Sequence, residues 1–512
     1  MNHMKQTTAY HFIVQAILVV VLLLYAVLVF GQPGKKKTAS QKLPNIIYIY
    51  ADDMGYGELG CYGQQKIKTP NLDRMAKEGM RFTQHYAGAP VCAPSRAMLM
   101  TGKHGGHSYI RGNYELGGFE DSTEGGQMPL PEGTFTIPKM FKNAGYTTGM
   151  IGKWGLGMNN TSGDPNKQGF DYYYGYLCQK QAHNFYPTHL WENGKWDTLN
   201  NPSFLVHQRI PEGSPDSAFE KFKGKDYAVT KMAEKTLAFI KENKNKPFFL
   251  YLPYTGPHVA LQAPDEAVKE YIGQFDEQPY YGDRGYAPSK YPLSTYAAMI
   301  TYMDKQIGRI MALLKELRLD ENTIVMFSSD NGATFDVGGA DTKFFNSTGG
   351  LRGRKQDVYE GGIREPFIAR WPEKIPAGEV SNHISAQFDM MATLSELTGA
   401  KAWSNDGISF LPTLLGKDKQ QKQHEFLYFE FPEKGGQVAI RLGDWKGVRT
   451  NVKKDPEAPW QVFNLKTDRN ETTDVAAEHP ELVKQFDAIQ QNEHQHSHIR
   501  EWEFIDPKFS EK

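Results

Sequence analysis

Two adjacent pairs of side chains offer oxygen donors, Asp52-Asp53 and Asp330-Asn331, and each pair closes a short apolar run. No Cys or His stands among them, and hard oxygen ligands suit Ca²⁺ or Mg²⁺ better than zinc. Singly, Asp52-Asp53 reads as a cap or turn, and Asp330-Asn331-Gly332 as a tight turn, which Asp and Asn-Gly favour. Two such pairs at two strand ends favour a shared metal ion. A further segment, Val91–Lys103, sets Cys92 ahead of Pro94-Ser95-Arg96 and of Thr101-Gly102. A cysteine without such neighbours is usually a buried, inert thiol. Lys153, Lys355 and His258 taken alone read as two solvated lysines and a loop histidine.

The elements that must position these residues alternate. Pro44–Tyr50 is an apolar, β-branched run of the kind that forms a buried parallel strand. Leu72, Met75 and Ala76 start a helical stripe after Pro70-Asn71. A helix is predicted over 226–243, followed by a strand at Phe248–Leu252. Ile300, Met303, Ile307, Ile310, Leu314 and Leu317 mark a long amphipathic helix, and Thr323–Ser329 is the strand after it. The expected fold class is α/β, a large, mostly parallel sheet sandwiched by helices, with ligands collecting at the carboxyl ends of the strands. From about 425 the texture changes to short strands at Val438–Leu442 and Trp445–Arg449 around Gly443-Asp444, a strand at Gln461–Leu465 and a helix over 480–495. This predicts a small C-terminal α+β domain over 425–512 beside a catalytic domain over 44–424.

The segment Cys92-Ala93-Pro94-Ser95-Arg96 with Thr101-Gly102 resembles the signature of the type I, formylglycine-dependent sulfatases of the alkaline phosphatase superfamily. Asp52-Asp53, Gly152-Lys153-Trp154, Pro257-His258, Asp330-Asn331-Gly332 and Lys355 ahead of Tyr359-Glu360-Gly361-Gly362 follow in the order of that family's blocks, across roughly residues 44 to 375. Gly443-Asp444-Trp445-Lys446 also resembles the family's small domain. The likeness is nearest to the arylsulfatase A-like and N-acetylgalactosamine sulfatase branch. It implies that a formylglycine-generating or anaerobic sulfatase-maturating enzyme converts Cys92 to formylglycine. The hydrated aldehyde attacks sulfur and expels the alcohol. The second hydroxyl then loses its proton, and the intermediate collapses to aldehyde and sulfate with no water attacking sulfur. The resemblance further implies one Ca²⁺ held by Asp52, Asp53, Asp330, Asn331 and the residue 92 hydrate. Arg96 would orient the diol, Lys153 and Lys355 would hold sulfate oxygens, and His258 would protonate the leaving alcohol or hold sulfate.

One position departs from the pattern. Many members read Gly-Lys-Trp-His, and that His contacts the formylglycine, whereas here the residue is Gly155. Its role then falls to water, His258 or another group, or is absent. His183 is one alternative, or it contacts the sugar with Gln181; His104 and His107 follow the signature as further candidates. The polar, aromatic segment Tyr176–Trp191 follows the Lys153 block, where specificity loops lie, and the Gly-rich loop 105–118 is expected to line the pocket mouth. The expected substrate is a sulfated galactose or N-acetylgalactosamine unit, with 4-O-sulfate as the expected position.

Composition excludes some alternatives. With 58 Lys+Arg against 59 Asp+Glu the net charge is −1, which leaves no basic domain for nucleic acid. Ile13–Phe30 is almost unbroken apolar, and 1–31 reads as a secretory signal peptide or a retained N-terminal anchor, with 32–43 as linker. Export to the periplasm or the extracellular space follows from either. Three cysteines fit no zinc motif, and Cys61–Cys178 is one conceivable bridge. Two rival readings stay open, a phosphonate or phosphate monoester hydrolase of the same superfamily and a non-catalytic sulfated-glycan-binding pseudoenzyme.

Overall fold

The computed structural model describes residues 3–30, 43–118 and 124–511. Residues 1–43 and 44–512 are separate compact units. The first holds one helix, His3–Phe30. Its described side chains from Tyr10 to Leu22 are exposed, and among the described residues no helix is long and apolar enough to cross a membrane. The expected cleavage point after Gly31 and the linker over 32–42 lie outside the described residues.

The second unit is built on an eleven-stranded sheet. Its strands are β1 (Asn45–Asp52), β2 (Met80–Tyr86), β3 (Thr147–Lys153), β4 (Tyr172–Tyr176), β5 (His189–Glu192), β6 (Lys195–Thr198), β7 (Phe248–Pro257), β8 (Thr323–Ser329), β9 (Arg364–Arg370), β10 (Glu379–Ser381) and β11 (Ser385–Ala386). They run in the order β10-β2-β9-β8-β1-β7-β3-β4-β5-β6, with β11 beside β2. The centre, β8-β1-β7-β3-β4, is parallel throughout. β9 runs antiparallel between β8 and β2, and β5-β6 form an antiparallel edge. Every residue of β1, β7 and β8 is buried, as expected for strands covered on both faces. One face carries Ile47, Ile49 and Leu252 into the main core with Met303, Ile307, Ile310 and Leu314 of the helix Pro292–Glu316 and Met232 and Ile240 of the helix Ala228–Asn243. The other carries an aromatic layer that includes Tyr48, Tyr50 and Tyr251.

A four-stranded antiparallel sheet follows, β12 (Leu427–Phe431), β13 (Gln437–Leu442), β14 (Trp445–Thr450) and β15 (Gln461–Asn464), in sequential order. The helix Pro480–Glu493 covers one face through Leu482 and Phe486. The other face joins the large sheet in a shared core, where Leu427, Phe429, Val448 and Phe463 meet Tyr86, Val91, Val358 and Phe388. The small sheet expected after 425 is therefore present, but it lies within one compact unit with residues 44–424.

Candidate active site

The carboxyl ends of β1, β3 and β8 bring the motif residues together. Asp52 closes β1, Lys153 closes β3, and Asp330-Asn331 follow β8. Asp53 turns the chain with a left-handed backbone, φ 64°, a conformation that costs a non-glycine residue about 1–3 kcal/mol. The turn is held by the Asp53 amide donating to Asp330 Oδ1 at 3.1 Å and by Asn331 Nδ2 donating to Asp53 Oδ1 at 2.8 Å.

Cys92 is the first residue of the helix Cys92–Thr101. Ala93 N–H, one of the unpaired donors of the first turn, is taken by Asn113 Oδ1 at 3.1 Å. Tyr50 and Gln387 bond Ser95, so this motif serine anchors the helix to β1 instead of facing the site. Cys92 Sγ lies 3.3 Å from Asp52 Oδ1, 3.8 Å from Asp53 Oδ1 and 3.5 Å from Lys355 Nζ. Burial, followed by the Asp52 charge, pushes its pKa well up, so the unmodified thiol is no nucleophile at neutral pH.

Three cations face three carboxylates here, all buried. Lys153 Nζ bonds Asp52 Oδ2 at 2.7 Å and Lys355 Nζ bonds Asp53 Oδ2 at 2.8 Å. Arg96 bonds Asp330 Oδ2 through Nε and Nη2 at 3.0 and 2.7 Å and donates through Nη1 to the Lys153 carbonyl. Three of its five N–H donors are thus engaged with protein, which fixes the guanidinium against Asp330 and the Lys153 backbone. Burial raises the Asp52 carboxyl, but Lys153, His258, Arg96 and Lys355 outweigh it and hold Asp52 well below the carboxylate range. Burial and the Asp52 charge push Asp330 up. Lys153 and Lys355 are held up against burial by Asp52 and Asp53 respectively.

His258 Nε2 stands 3.5 Å from Asp53 Oδ2, while its Nδ1 bonds the Val259 carbonyl. A carbonyl only accepts, so the neutral ring carries its proton on Nδ1 and turns a bare Nε2 to the site. Burial and Lys355 lower its pKa to about 4. His183 stacks on His258 with ring centroids 4.6 Å apart, close enough for burial and the charges of Lys153 and Lys355 to lower its pKa.

The donor set fits a hard cation. Oxygens of Asp52 and Asp53 converge with Cys92 Sγ and His258 within 4.8 Å of one another. Asn331 Oδ1 is buried with no hydrogen-bond partner among the described residues, and an orphaned carbonyl oxygen among carboxylates is what an oxygen-bound metal satisfies.

Other expectations are corrected. His104 does not reach the site. Its Nε2 bonds Glu493 Oε2 at 3.0 Å, its backbone bonds Asp406, and its ring packs at a tilt against His107, because the helix Cys92–Thr101 carries this loop toward the C-terminal helix. Gln181 opens the turn Gln181–His183 and is 2% exposed, as buried as the catalytic cluster itself. Tyr186 is buried among core residues, and Trp191 donates to Glu124. Cys61, Cys92 and Cys178 are all free thiols.

Two residues escaped the sequence reading. Asn113 lies in the Gly-rich loop and has no motif of its own. Gln179 occupies the space beside Gly155. A Cβ on Gly155 would stand 2.9 Å from Gln179 Cγ, at φ +77°. The Gln179 amide is buried with neither atom hydrogen-bonded among the described residues.

Residues 44–400 match the Sulfatase family, and residues 354–497 match the family N-sulphoglucosamine sulphohydrolase, C-terminal. The chain is similar to N-acetylgalactosamine-6-sulfatase of Canis lupus familiaris, 32% identical over 82% of this chain and 74% of that protein. It resembles N-acetylgalactosamine-6-O-sulfatase of Bacteroides thetaiotaomicron at 29% identity over 88% of this chain and 93% of that protein. Among solved structures it is similar to Ps i-CgsB in complex with k-i-k-neocarrahexaose, with a TM-score of 0.71 and 29% identity over 89% of this chain and 94% of that one. The phosphonate monoester hydrolase of Agrobacterium radiobacter shares the fold, with a TM-score of 0.58 at 19% identity over 88% of this chain and 95% of that one. The match across most of the large sheet's residues and the canine relative's identity agree with the site geometry, and the chain belongs to the sulfatase family.

Proposed function

We propose that this sulfatase releases sulfate from a galactose- or N-acetylgalactosamine-type unit of a sulfated glycan, with Cys92 matured to formylglycine and one Ca²⁺ bound. The observation that carries the reading is Cys92 at a helix head, 3.3 Å from Asp52 and 3.5 Å from Lys355 in a charge-balanced, buried cluster. The named N-acetylgalactosamine sulfatases support the sugar, and they favour the 6-position over the 4-position expected from sequence.

Asp52, Asp53, Asp330 and Asn331 would hold the metal, which supplies positive charge for the sulfate oxygens and a lower pKa for the hydrated aldehyde. Lys153 and Lys355, bonded to Asp52 and Asp53, are the cations that would hold the sulfate oxygens. Arg96 fixes Asp330 and the Lys153 backbone. His258 presents an unprotonated Nε2, and the negative charge of an arriving ester favours its protonation, after which it donates to the leaving alcohol. The helix N-terminus at Cys92 favours the developing negative charge. A maturating enzyme is the required partner, and export is the expected location.

The test is sulfate release by protein co-produced with a maturating enzyme, on 4-O- and 6-O-sulfated galactose and N-acetylgalactosamine, an aryl sulfate and an aryl phosphonate. We expect turnover of a 6-O-sulfated sugar, loss to background in Cys92→Ala with an unchanged thermal midpoint, and loss on chelation that Ca²⁺ restores. Activity retained by Cys92→Ala, or turnover confined to the phosphonate, would overturn it.

A further inference from the structure

A second cationic site lies apart from the catalytic cluster. Where the end of β2 meets the turn between β13 and β14, a groove of about 580 Å³ is lined by Arg81, Arg364, Arg441, Lys466 and Arg469 against a single carboxylate, Asp444. This volume lies within the range of sites for small organic ligands.

The cations divide into two groups. Arg364 and Arg441 are buried and share Glu360, at 3.0 and 3.9 Å, with Arg441 also bonded to Tyr86 and Gln84. They form a fixed floor. The other three sit nearer solvent and are loosely held. Arg81 has no carboxylate partner among the described residues and lies over the Tyr62 ring at 5.1 Å. Among the described residues Arg469 reaches only the Gly349 carbonyl at 3.4 Å and the Tyr56 ring at 5.9 Å. Lys466 meets Asp444 at 4.0 Å, with both side chains more than half exposed. An exposed pair at that distance holds its partner weakly. Asp468 bonds Thr472 and Thr473 and keeps its negative charge, and Asp73 bonds the amide of Cys61 in the groove wall at 2.7 Å. The five cations still outnumber the carboxylates Asp444, Glu360, Asp468 and Asp73, in a protein whose net charge is −1. Such a concentration of guanidinium groups suits oxyanions, which they bind in a fork geometry.

The groove runs along β2, beside and below the catalytic strand ends. β9 starts at Arg364, antiparallel to β8, whose end carries Asp330; Arg81 of β2 lies level with Ile368 of β9 and through it with Phe327 of β8, three residues before Asp330. With strands about 4.8 Å apart and about 3.3 Å per residue, two strand spacings and three residues put Arg81 roughly 14 Å from the Asp330 end of β8. A polyanionic chain whose sulfate enters the catalytic pocket can lay another sulfate here.

We propose that this groove is an anion subsite that holds a non-reacting sulfate of the same glycan chain, giving the enzyme a preference for polymer over monosaccharide. The inference rests on the sulfated-glycan reading of the substrate. The variant is Arg81→Ala/Lys466→Ala/Arg469→Ala, with Arg81→Gln alone as a milder form. Retardation in native gels containing chondroitin 6-sulfate is measured in a Cys92→Ala background, and KM is measured for the active enzyme on the polymer and on 6-O-sulfated N-acetylgalactosamine. The expected result is about a tenfold loss of polymer affinity and a similar rise in polymer KM, an unchanged monosaccharide KM, and a wild-type affinity that falls as salt rises. Arg81→Gln shifts both polymer values in the same direction by less. Equal polymer affinity in variant and parent overturns the subsite, as does equal retardation by DNA of matched charge or a parallel loss on the monosaccharide. The gel assay needs no turnover, so a protein that bound the polymer through this groove but cleaved no sugar sulfate would refute the catalytic reading and leave the subsite standing.

Discussion

Asp52, Asp53 and Asp330 balance Arg96, Lys153 and Lys355 in a site closed to water. Buried pairs of this kind add little net stability, but removing one partner strands a charge and costs about 3–5 kcal/mol. The cluster is thus a device for holding charges ready. A bound divalent cation would shift the balance toward positive, the state that attracts an anionic ester. Gly155 shows how tightly the neighbouring space is allotted. Replacing it with His sets a Cβ 2.9 Å from Gln179 Cγ at φ +77°, and both the clash and the backbone are unfavourable. Gly155→His is expected to lower stability by about 1–3 kcal/mol and to reduce kcat rather than restore a proton donor. A variant as stable as wild type in urea, with higher kcat, would contradict this account of Gly155 and Gln179.

β2 illustrates an element whose burial has a pH consequence. His85 is fully buried in it, bonded through Nδ1 to Ser385 Oγ at 2.9 Å and packed on Phe367, with Nε2 unpaired among the described residues. Burial, then His383, lowers its pKa from 6.5 to about 3. Between those values the unfolded chain binds a proton that the folded chain refuses. Stability therefore rises with pH through this window and is lost as pH falls from 6.5 toward 3, by up to about 1.4 kcal/mol per pH unit. His85→Leu is expected to flatten the drop in urea midpoint between about pH 6.5 and about pH 4. An unaltered slope in the variant would mean that His85 is not the group excluded from protonation.

At the scale of the molecule, the small sheet is part of the catalytic body. Val91, next to Cys92, packs in the same cluster as Phe429, Val448 and Phe463. Lys446 of β14 reaches Glu360 at 2.9 Å and Glu471 at 3.0 Å. Each large apolar side chain in that interface is worth about 1.5–3 kcal/mol. Deleting residues 425–512 therefore costs an amount comparable with the whole stability of a domain, about 5–15 kcal/mol. Calorimetry of residues 44–512 is expected to show one transition, and a chain ending at 424 is expected to fail to fold. Two resolved transitions would make the C-terminal segment an independent domain after all.

The local and periodic features were legible in the chain itself. The apolar runs before Asp52 and Asp330, the stripe of the helix Pro292–Glu316 and the Gly443-Asp444 hairpin each follow from a few neighbouring residues, since burial on both faces, on one stripe or in a tight turn leaves a local pattern. The convergence of Asp52, Asp53, Cys92, Lys153, His258, Asp330, Asn331 and Lys355 was legible through motif order, although their distances were not. What tertiary structure alone decided was which charges face one another. Arg96 is committed to Asp330, His104 is carried away to Glu493, Gln179 fills the space beside Gly155, and Arg81 meets Arg469 across a groove between two sheets. These pairings join residues far apart in sequence, and no local pattern records them, because the energy that selects them arises only once the strands are in register.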